Sequence, residues 1–512
     1  MSRVRKVEVL VVGGGVTGAG IARDLAMRGT EVLLVERGDF SAGATGANHG
    51  MLHSGARYAV KDPVSARECA VESEVLRRIA AFCIEDTGGV FVSARNDDLG
   101  YRDVFLRACR DSGVPASEIT TAEARASEPN LAGDIQAAVE VRDASVDPFF
   151  LTLGNIGSAR EHGAEALNHC PLLSMTVRDG QAEAVIKRGS ERTVVRPEVL
   201  VNAAGAWAGE VASMAGLMIP VSVDKGTLVV LNGRIVRRLV NRLRPPSDGD
   251  ILVPHRTATI LGTTSSAGRL DDIRATSEEV DALLQQAAAV VPGVRTARAV
   301  RAYAGVRPIL GTAGGRGASR AFQVLDHRAE GVENMISVVG GKLTTYRLMA
   351  ERTADAVQQM LGRKGACRTH LEEIRPEGTS KSRFTAQVLR LRHGSDADTI
   401  LRSCGPHGDS GGCECEAVGR EELEHFARSP DVRDISDLMR RTRAGMGYCQ
   451  AGLCALRLAA TLDMGMGEVS AYYRARWRGV EPVLRDHQLR QELFKAHLLR
   501  TYGLDHSKEG RK

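Results

Sequence analysis

The segment from Val7 to Glu36 constrains the fold of this chain more than any other. An apolar, β-branched run stops at three consecutive glycines, a helical pattern opens near Gly18, and a second apolar run ends in Glu36. In such a unit Gly13 permits a tight turn, Gly15 lets the backbone approach a pyrophosphate, and Gly18 lets the helix pack closely on the strand. The sequence therefore predicts a β-α-β unit that binds a dinucleotide.

Two further features of this segment support a dinucleotide site. The N-terminus of the predicted helix would offer free N–H groups and the positive end of its dipole to phosphates. Glu36 lies 18 residues after Gly18, where its carboxylate can accept hydrogen bonds from the hydroxyls of an adenosine ribose. The alternative interpretation is a glycine-rich loop in a generic α/β domain, since the glycine pattern alone is weak evidence.

Length and composition limit the classes of protein to consider. The chain has 512 residues, more than one hydrophobic core usually supports, so we expect two or three domains. Its 43% apolar and 26% charged residues are typical of a globular protein, and a net charge of +5 does not indicate nucleic-acid binding. No apolar run approaches the roughly 18 residues of a membrane span, and the first strand begins by residue 7, so neither a membrane helix nor a signal peptide is expected. Any membrane contact is therefore expected to be peripheral or through a partner.

The segment Ser41–Tyr58 combines small residues with polar ones. Its glycines and alanines leave little side-chain bulk, so the backbone can closely approach a flat ligand. The polar side chains set among them are those of Asn48, His49, His53, Arg57 and Tyr58. This is more polar functionality than a linker needs, and it indicates a binding segment.

Two later turns repeat the pattern of a strand followed by small residues. Residues 198–205 form an apolar run that ends in Ala203-Ala204-Gly205, and residues 335–347 read as strand, glycine turn and helix. A helix N-terminus at Gly341–Thr344 could face the other end of a bound flavin. Between the two turns, residues 219–264 predict an antiparallel sheet beside the nucleotide fold, whereas residues 88–145 look like an inserted α+β segment.

Three cations lie in or beside glycine-containing turns: Arg57, Arg307 and Lys342. Cationic side chains on the substrate side of a flavin indicate a substrate with an anionic group, and a dianionic phosphate is such a group. The alternative is a set of solvated surface cations, which describes most of the 68 lysines and arginines of the chain. His53 is a candidate base for an alcohol proton, or else a structural histidine that hydrogen-bonds the flavin edge.

The cysteines suggest a second site. Four of the ten form the pattern Cys413-x-Cys415, 33 residues, Cys449-x4-Cys454, and without an export signal we do not expect disulfides. Four thiolates can bind zinc or an iron–sulfur cluster, although the Cys-x-Cys spacing fits structural zinc poorly. Residues 440–454 surround these cysteines with cations and glycine-rich backbone, while Cys404 is expected to take no part.

Several motifs together resemble the flavin-dependent glycerol-3-phosphate dehydrogenases, and specifically the catalytic A chain of the anaerobic three-subunit enzyme. They read GGGVTGAGIARDLAMRG, ATGANHGMLHSGARYAVKDPVSAREC, VNAAGAWA, ILVPHRTATILGTT, RAYAGVRP and GGKLTTYRLMAE. The cysteine segment is similar to the bacterioferritin-associated-ferredoxin-like (BFD-like) [2Fe–2S] module of those chains, and the tail ARWRGVEPVLRDHQLRQELF also resembles theirs. The resemblance runs from about residue 7 to about residue 500.

The resemblance implies a fold and a division into domains. The fold would be α/β, a two-dinucleotide-binding-type FAD fold like that of D-amino-acid oxidase, with an antiparallel-sheet substrate domain and a small C-terminal cysteine-rich α domain. The implied segments are an FAD-dependent oxidoreductase at 1–365, a BFD-like [2Fe–2S] domain at 404–456 and a helical tail at 457–512. Residues 366–403 between the first two are charged, poorly periodic and rich in Arg and Lys, so we interpret them as a linker.

The resemblance also implies roles for individual residues. Those that hold the adenosine diphosphate half of FAD would be Gly13, Gly15, Gly18 and Glu36. Those that line the flavin would be Thr45, Asn48, His49, Gly50, Gly341, Leu343 and Thr344, to which we add Ala204 and Gly205 from their small-residue turn. Substrate would be bound by Arg57, Tyr58, Arg307 and Lys342, with His53, Arg307 and Lys342 at the reacting centre and Cys413, Cys415, Cys449 and Cys454 on the cluster. His255 matches no role in this pattern.

The implied reaction oxidises glycerol 3-phosphate to dihydroxyacetone phosphate by hydride transfer from C2 to FAD. Electrons would then pass singly through the cluster to two further subunits of a membrane-associated complex, one of them an iron–sulfur membrane anchor, and finally to menaquinone. The protein would lie in the cytoplasm, peripheral on the inner face of the cell membrane. The alternatives are a related FAD oxidoreductase of a 2-hydroxy acid, a polyol phosphate or an amine, and a non-catalytic electron-transfer scaffold.

Overall fold

The computed structural model describes residues 3–311, 321–374, 384–403, 411–452, 454–485 and 487–501. Of the predicted segments, residues 375–383 of the linker, residues 404–410 (with Cys404) and 453 of the cysteine domain, and residues 486 and 502–512 of the tail lie outside these residues. Within them the chain forms two large sheets and a C-terminal helical part.

The first sheet has eight strands among the described residues, and its centre is parallel. In spatial order the strands are Leu172–Arg178, Gln181–Arg188, Glu191–Asn202, Arg3–Val12, Val32–Val35 and Glu165–Leu167, with Met335–Gly340 beside Glu191–Asn202 and Phe322–Asp326 beside Met335–Gly340. Because the central pairs are parallel, their carboxyl ends meet at one edge of the sheet. Ligands bind at this edge in open α/β sheets.

The helix Val16–Met27 packs against this sheet and is itself covered by two other helices, Pro148–Glu161 and Tyr346–Met360. The strand Val32–Val35 is buried along its whole length, which explains why it reads as a continuous apolar run. The ring of Tyr346 lies fully buried against Gly20, where a Cβ atom would come within 3.0 Å of it. The predicted β-α-β unit is therefore present, with its helix beginning two residues before Gly18.

The second sheet has nine strands among the described residues and is mostly antiparallel, as predicted for residues 219–264. In spatial order they are Ser266–Ala267, Val221–Leu231, Ala258–Gly262, Ile251–His255, Leu239–Arg242, Gly89–Ser93, Ala137–Val141 and Ala116–Ile119, with Ala299–Leu310 also paired to Val221–Leu231. Residues 88–145 have the predicted α+β structure, and three of these strands come from them, so the segment is part of the second sheet. The parallel pairing of Gly89–Ser93 with Leu239–Arg242 joins segments about 150 residues apart, which no local pattern reveals.

A small sheet of Met51–Leu52, Ala144–Val146 and Ile84–Glu85 lies between the large ones. The remaining helices before residue 365 are Pro63–Ile79, Gly100–Asp111, Thr121–Ser127, Ala208–Ser213 and Ser277–Ala287. The last of these begins with a capping box, in which the side chains of Thr276 and Glu279 each bind the other's backbone N–H.

The C-terminal part contains the helices Phe384–His393, Asp396–Ser403, Arg420–Ala427, Ile435–Thr442, Ala455–Thr461, Met466–Val480 and His487–Thr501, and a hairpin of Gly411–Cys413 with Val418–Gly419. We call residues 384–403, 411–452 and 454–480 the cysteine module. No described helix is long and apolar enough to cross a bilayer.

The predicted linker at 366–403 differs from the structure, because its second half forms two helices of the cysteine module. Leu389, Ala397 and Ile400 form a small core against Phe426. Arg392 and His393, whose charge made the segment look like a linker, are buried and bind Glu422. Composition could not separate buried, paired charges from solvated ones.

We expect Gly18→Ala to destabilise the protein. A Cβ atom at Gly18 would lie 1.9 Å from the carbonyl oxygen of Gly13, so the helix must move away from the turn. Overpacking of this kind costs about 1–3 kcal/mol, which would lower the thermal midpoint by several degrees. The control is Gly133→Ala, whose Cβ would meet nothing within 4 Å. Equal midpoints for the two variants would show that this contact is unimportant.

Candidate functional site

A cleft of about 740 Å³ lies at the carboxyl ends of the parallel strands of the first sheet, where the second sheet faces them. Residues at the ends of four strands line the cleft: Val12-Gly13, Val35-Glu36, Ala203–Gly205 and Gly340-Gly341. Most of the predicted site residues line it: Gly13, Gly15, Glu36, Thr45, Asn48, His49, His53, Arg57, Tyr58, Ala204, Gly205, Arg307, Gly341, Lys342 and Leu343.

Three predicted site residues lie behind the wall of the cleft instead. Gly18 packs on Gly13, as described above. Gly50 adopts a left-handed conformation (φ 66°), and a Cβ atom there would lie 2.7 Å from the carbonyl oxygen of Val146 and 3.0 Å from His255 Nε2. Thr344 is buried, and its hydroxyl oxygen accepts a hydrogen bond from the backbone N–H of His53 at 3.0 Å. Their roles are therefore to shape the wall.

One end of the cleft suits the phosphates and ribose of a dinucleotide. Gly13 has φ 117°, and a side chain there would lie 2.4 Å from the carbonyl oxygen of Ala203, so this wall is necessarily bare backbone. The helix that follows begins at Gly15 without a side-chain cap, which leaves N–H groups for an anion. The carboxylate of Glu36 lines the cleft and also accepts hydrogen bonds from the N–H groups of Gly14 and Gly38, at 2.7 and 2.8 Å.

The indole of Trp207 is a lining group that the sequence did not single out. The guanidinium carbon of Arg37 lies 4.2 Å from the centre of its ring, which is a cation–π contact. Trp207 follows the small-residue turn at Ala203–Gly205, so the motif itself was the available signal. Together these residues form a flat wall beside the carboxylate of Glu36.

His49 and His53 lie at the other end of the cleft. His53 is buried and His49 is half-buried, and the buried Nδ1 atoms of both have no hydrogen-bond partner within the part of the chain that the structure describes. Burial, and then the charges of Arg307 and Arg57, lower the pKa of His49 to about 3. Burial, and then His49, Arg57 and Lys342, hold the pKa of His53 well below its usual value. Both imidazoles are therefore neutral at neutral pH, and each can accept a proton or a hydrogen bond from a bound molecule.

The three predicted cations converge on the same end, but each already has partners. Arg57 donates to Asp250 at 2.9 Å, and Arg307 donates to Asp224 at 2.8 Å. Both aspartates are almost fully buried, so they fix the direction of the guanidinium groups. No sequence pattern pointed to these two carboxylates, because neither lies near its arginine in the chain.

Lys342 is held in another way. Its Nζ lies 2.7 Å from the hydroxyl oxygen of Ser65 and 4.7 Å from the centre of the Tyr58 ring. The hydroxyl of Tyr58 lies 3.5 Å from His53 Nε2, so the ring borders both a cation and a neutral imidazole. The arrangement can hold an anionic group next to a proton acceptor.

Asp143 supports the loop that carries His53. Its carboxylate accepts a hydrogen bond from the N–H of Ser54 at 2.8 Å and lies 3.4 Å from Asn241 Nδ2. Burial raises the pKa of Asp143 to about 6, despite the opposing hydrogen bonds of Ser54. No sequence signal pointed to this buried acid.

The four predicted cysteines meet in one place. Cys415 Sγ lies 3.6 Å from both Cys413 Sγ and Cys449 Sγ, and Cys454 is in hydrogen-bonding contact with Cys413 and Cys449. The N–H of Gly445 donates to Cys413 Sγ at 3.2 Å. This donor set fits a [2Fe–2S] cluster or zinc, and a backbone N–H aimed at sulfur is usual around iron–sulfur clusters.

Another acidic group at the module's edge does not form a metal site. Asp39, His169 and Asp437 approach one another, with side-chain ligand atoms within 4.8 Å. However, Asp39 binds the guanidinium groups of Arg440 and Arg441, at 3.1 and 2.8 Å. These cations already balance the charge of the Asp39 carboxylate.

Comparisons with known proteins show the family to which the chain belongs. Residues 8–356 match the family model described as FAD dependent oxidoreductase. The chain is 40% identical over 517 residues to the A chain of anaerobic glycerol-3-phosphate dehydrogenase from Escherichia coli (strain K12), covering 95% of each chain. It is also 40% identical to the A1 chain of the same enzyme from Haloferax volcanii, over 96% of this chain and 89% of the relative.

A solved structure shows the same fold along almost the whole chain. The glycerol-3-phosphate dehydrogenase from Bacillus halodurans, complexed with FAD, aligns with a TM-score of 0.69 at 22% identity. The alignment covers 94% of this chain and 96% of that one. The predicted α/β FAD-oxidoreductase fold is thereby confirmed, and the bare glycine walls of the cleft are consistent with it.

We expect Asp143→Asn to remove a pH dependence of stability. Because the folded-state pKa of Asp143 is raised from 3.8 to about 6, its protonated form stabilises the fold below about pH 4, and this contribution is lost as pH rises through about 6. The asparagine cannot ionise, and its amide could donate to Asn241 Oδ1, which has no partner among the described residues.

Thermal midpoints of the parent and the Asp143→Asn variant over a pH series test this expectation. Between about pH 4 and about pH 6 the free energy of unfolding of the variant should rise relative to that of the parent, by up to about 3 kcal/mol. Above this range the difference between the two proteins should be constant. A difference that does not change with pH would show that Asp143 does not titrate there.

Proposed function

Because the chain belongs to the FAD-dependent oxidoreductase family, among the A chains of anaerobic glycerol-3-phosphate dehydrogenase, we propose that it is the catalytic subunit of an sn-glycerol-3-phosphate:quinone oxidoreductase. The observation that carries the proposal is a cleft that has a bare glycine cradle at one end and two neutral histidines among three cations at the other. Identity of 40% across 95% of the chain supports the choice of substrate within the family.

FAD would be held along this cleft. The turns at Gly13–Gly15 and Ala203–Gly205 would take its phosphates and Glu36 its adenosine ribose, while Thr45, Asn48, His49, Gly341 and Leu343 would border the flavin. When bound, FAD supplies a two-electron acceptor for hydride from an alcohol carbon. The buried Nδ1 atoms of His49 and His53 would find hydrogen-bond partners in the ligands.

Arg57, Arg307 and Lys342 would bind the phosphate of glycerol 3-phosphate. Asp250 and Asp224 hold the two arginines in place before the substrate arrives, which reduces the entropy cost of binding. His53, neutral and next to this group, would take the proton of the C2 hydroxyl as the hydride leaves C2. The products are then dihydroxyacetone phosphate, a two-electron-reduced flavin and one proton.

The four cysteines would bind a [2Fe–2S] cluster that carries electrons onward one at a time. The N–H of Gly445 on Cys413 and the cations of residues 440–443 would stabilise the reduced cluster. The two relatives are each named as one subunit of their enzyme, which supports the existence of further subunits here. We propose a peripheral complex on the cytoplasmic face of the membrane, in which an iron–sulfur subunit provides the anchor and menaquinone is the final acceptor.

The paired carboxylates favour one alternative. Because Arg57 and Arg307 are each bound to a buried aspartate, the net positive charge of the pocket is smaller than three free cations would give. A singly charged carboxylate requires less positive charge than a phosphate dianion. A 2-hydroxy acid is therefore the second candidate substrate.

An anaerobic absorbance spectrum distinguishes these functions. We expect sn-glycerol 3-phosphate to bleach the flavin band of the purified protein, because hydride transfer reduces the flavin. The matched additions are a 2-hydroxy acid and glycerol without phosphate. Bleaching by the 2-hydroxy acid alone would favour the second candidate. If none of these compounds bleached the flavin, the result would favour a non-catalytic protein that only relays electrons.

We expect Lys342→Met to raise the KM for glycerol 3-phosphate with the FAD content unchanged. The variant keeps the length of the side chain but loses a charge-assisted contact worth about 1.5–3 kcal/mol, or roughly tenfold to a hundredfold in KM. The control is Lys61→Met, since Lys61 lines the same cleft but is exposed. A KM close to that of the control would remove Lys342 from the substrate site.

Arg307→Ala should raise KM in the same way, but it also leaves the buried Asp224 without its guanidinium partner. We therefore compare it with the double variant Asp224→Asn/Arg307→Ala, which removes the buried charge together with its partner. A high KM in both would assign the effect to Arg307. A KM restored by Asp224→Asn would assign it to the stranded carboxylate.

A further inference from the structure

The cysteine module is held against the FAD-binding part of the chain by buried or partly buried ion pairs. Arg441 binds Asp39, and Arg160 binds Asp431 from the other side of the boundary. A third pair, between Arg443 and Asp147, is nearly as deeply buried as the Arg441 pair, with only 5% and 2% of the two side chains exposed. This third pair lies beside the cysteines, whereas the Arg160 pair does not involve their loops.

Arg443 bridges two carboxylates that belong to different parts of the structure. Its NH1 donates to Asp147 of the FAD-binding part at 2.5 Å, and its Nε donates to Glu416 of the module at 2.9 Å. The residue ends the helix Ile435–Thr442 in a left-handed conformation (φ 65°), which aims its side chain back into the boundary. A single guanidinium with two buried acid partners is a rigid connection.

The module end of this bridge is next to the cysteine ligands. Glu416 follows Cys415 directly, and its other carboxylate oxygen accepts a hydrogen bond from the hydroxyl of Thr257 at 3.0 Å. A Cβ atom on Gly447 would lie within 2.8 Å of Cys415 Sγ, of Glu416 Oε1 and of the Thr257 hydroxyl. The loop that carries Cys449 is therefore closely packed on Cys415 and on the second sheet.

The other end of the bridge is next to the flavin side of the cleft. Asp147 caps the helix Pro148–Glu161 and follows Val146, whose N–H donates to the carbonyl oxygen of Gly50 at 2.8 Å. Gly50 lies between Met51 and His49, two residues that line the cleft. Arg443 is thus connected to the cleft wall at Gly50 through Asp147 and its neighbour Val146.

A second connection runs beside the first. The strand Ile251–His255 starts at the cleft, which Ile251 lines, and its end carries His255 against Gly50. Two residues later, Thr257 contacts Glu416. His255, which matched no role in the sequence pattern, is buried, and its Nδ1 has no partner among the residues described.

We propose that Arg443 is a positioning residue that, through Asp147 and Glu416, holds the cysteine cluster against the flavin-side wall at Gly50 and His255–Thr257, where electrons cross. The inference rests on the proposed function, since it requires a flavin and a cluster in their sites. Each crossing removes one electron from the reduced flavin and adds it to the oxidised cluster, and the flavin protons go to solvent. The second electron follows after a one-electron acceptor, such as ferricyanide, has oxidised the cluster again.

Asp147→Asn is the sharpest test. Asparagine caps a helix about as well as aspartate, so the helix Pro148–Glu161 keeps its cap while Arg443 loses its charged partner. Arg443→Met is the second variant, and Arg160→Met is the control, because it breaks an ion pair across the same boundary away from the cysteines. The iron content of every variant is measured first, so that loss of the cluster is not mistaken for slow transfer.

Single-turnover mixing with glycerol 3-phosphate under anaerobic conditions separates reduction of the flavin by substrate from reduction of the cluster by the flavin. In Asp147→Asn and Arg443→Met, flavin bleaching should stay within about twofold of the parent, whereas the paramagnetic signal of the reduced cluster should appear about tenfold or more slowly, as for a misplaced reacting group. Arg160→Met should slow neither step. Unchanged cluster reduction in Asp147→Asn, or equal slowing in Arg160→Met, would overturn the proposal.

Hydrogen exchange supplies a readout that needs no catalysis. In protein prepared without iron, amides of residues 445–449 and 255–257 should exchange faster in Asp147→Asn than in Arg160→Met, because the bridge no longer holds the module there. Equal exchange in the two variants would contradict the bridge. If glycerol 3-phosphate fails to bleach the parent flavin, the proposed function fails, and dithionite reduction with the exchange data still tests the role of Arg443.

Discussion

The contact between Gly13 and Gly18 is the constraint on which the rest of the structure depends. The carbonyl oxygen of Gly13 occupies the space that a side chain on Gly18 would need, so the first helix starts directly at the end of the first strand. Because neighbouring strands run parallel, their ends collect around that helix N-terminus. The cleft therefore has bare backbone and a positive dipole where a pyrophosphate would lie.

Buried carboxylates organise the charged groups of the molecule. Asp224 and Asp250 direct the arginines of the cleft, and Asp147 and Glu416 direct Arg443 at the boundary of the cysteine module. A buried charge without a partner is costly, so each pair fixes its geometry strongly. Burial, and after it the charges of these cations, lower the pKa of the neighbouring histidines and keep them neutral. Positive charge and a proton acceptor can thus exist side by side.

Much of the fold could be predicted where its cause was local. The glycine turn with the helix that follows it, and the strand, glycine turn and helix of residues 335–347, each depend on neighbours in the chain, and all are present. The place of residues 88–145 in the second sheet, and the helices in the second half of the predicted linker at 366–403, were missed for one reason. Their residues pair with partners more than about twenty positions away, as Gly89–Ser93 does with Leu239–Arg242 and Arg392 with Glu422.

The sequence by itself determined the class of cofactor and the candidate cluster ligands, because short motifs contain all the residue types that these sites require. The tertiary structure decided how the sites are arranged. It brought Asp224 to Arg307, placed His255 behind Gly50, and joined Arg443 to Asp147 across 296 positions of the chain. Periodicity and spacing report on neighbours within a helix or strand, whereas these contacts arise only when separate sheets and helices pack together.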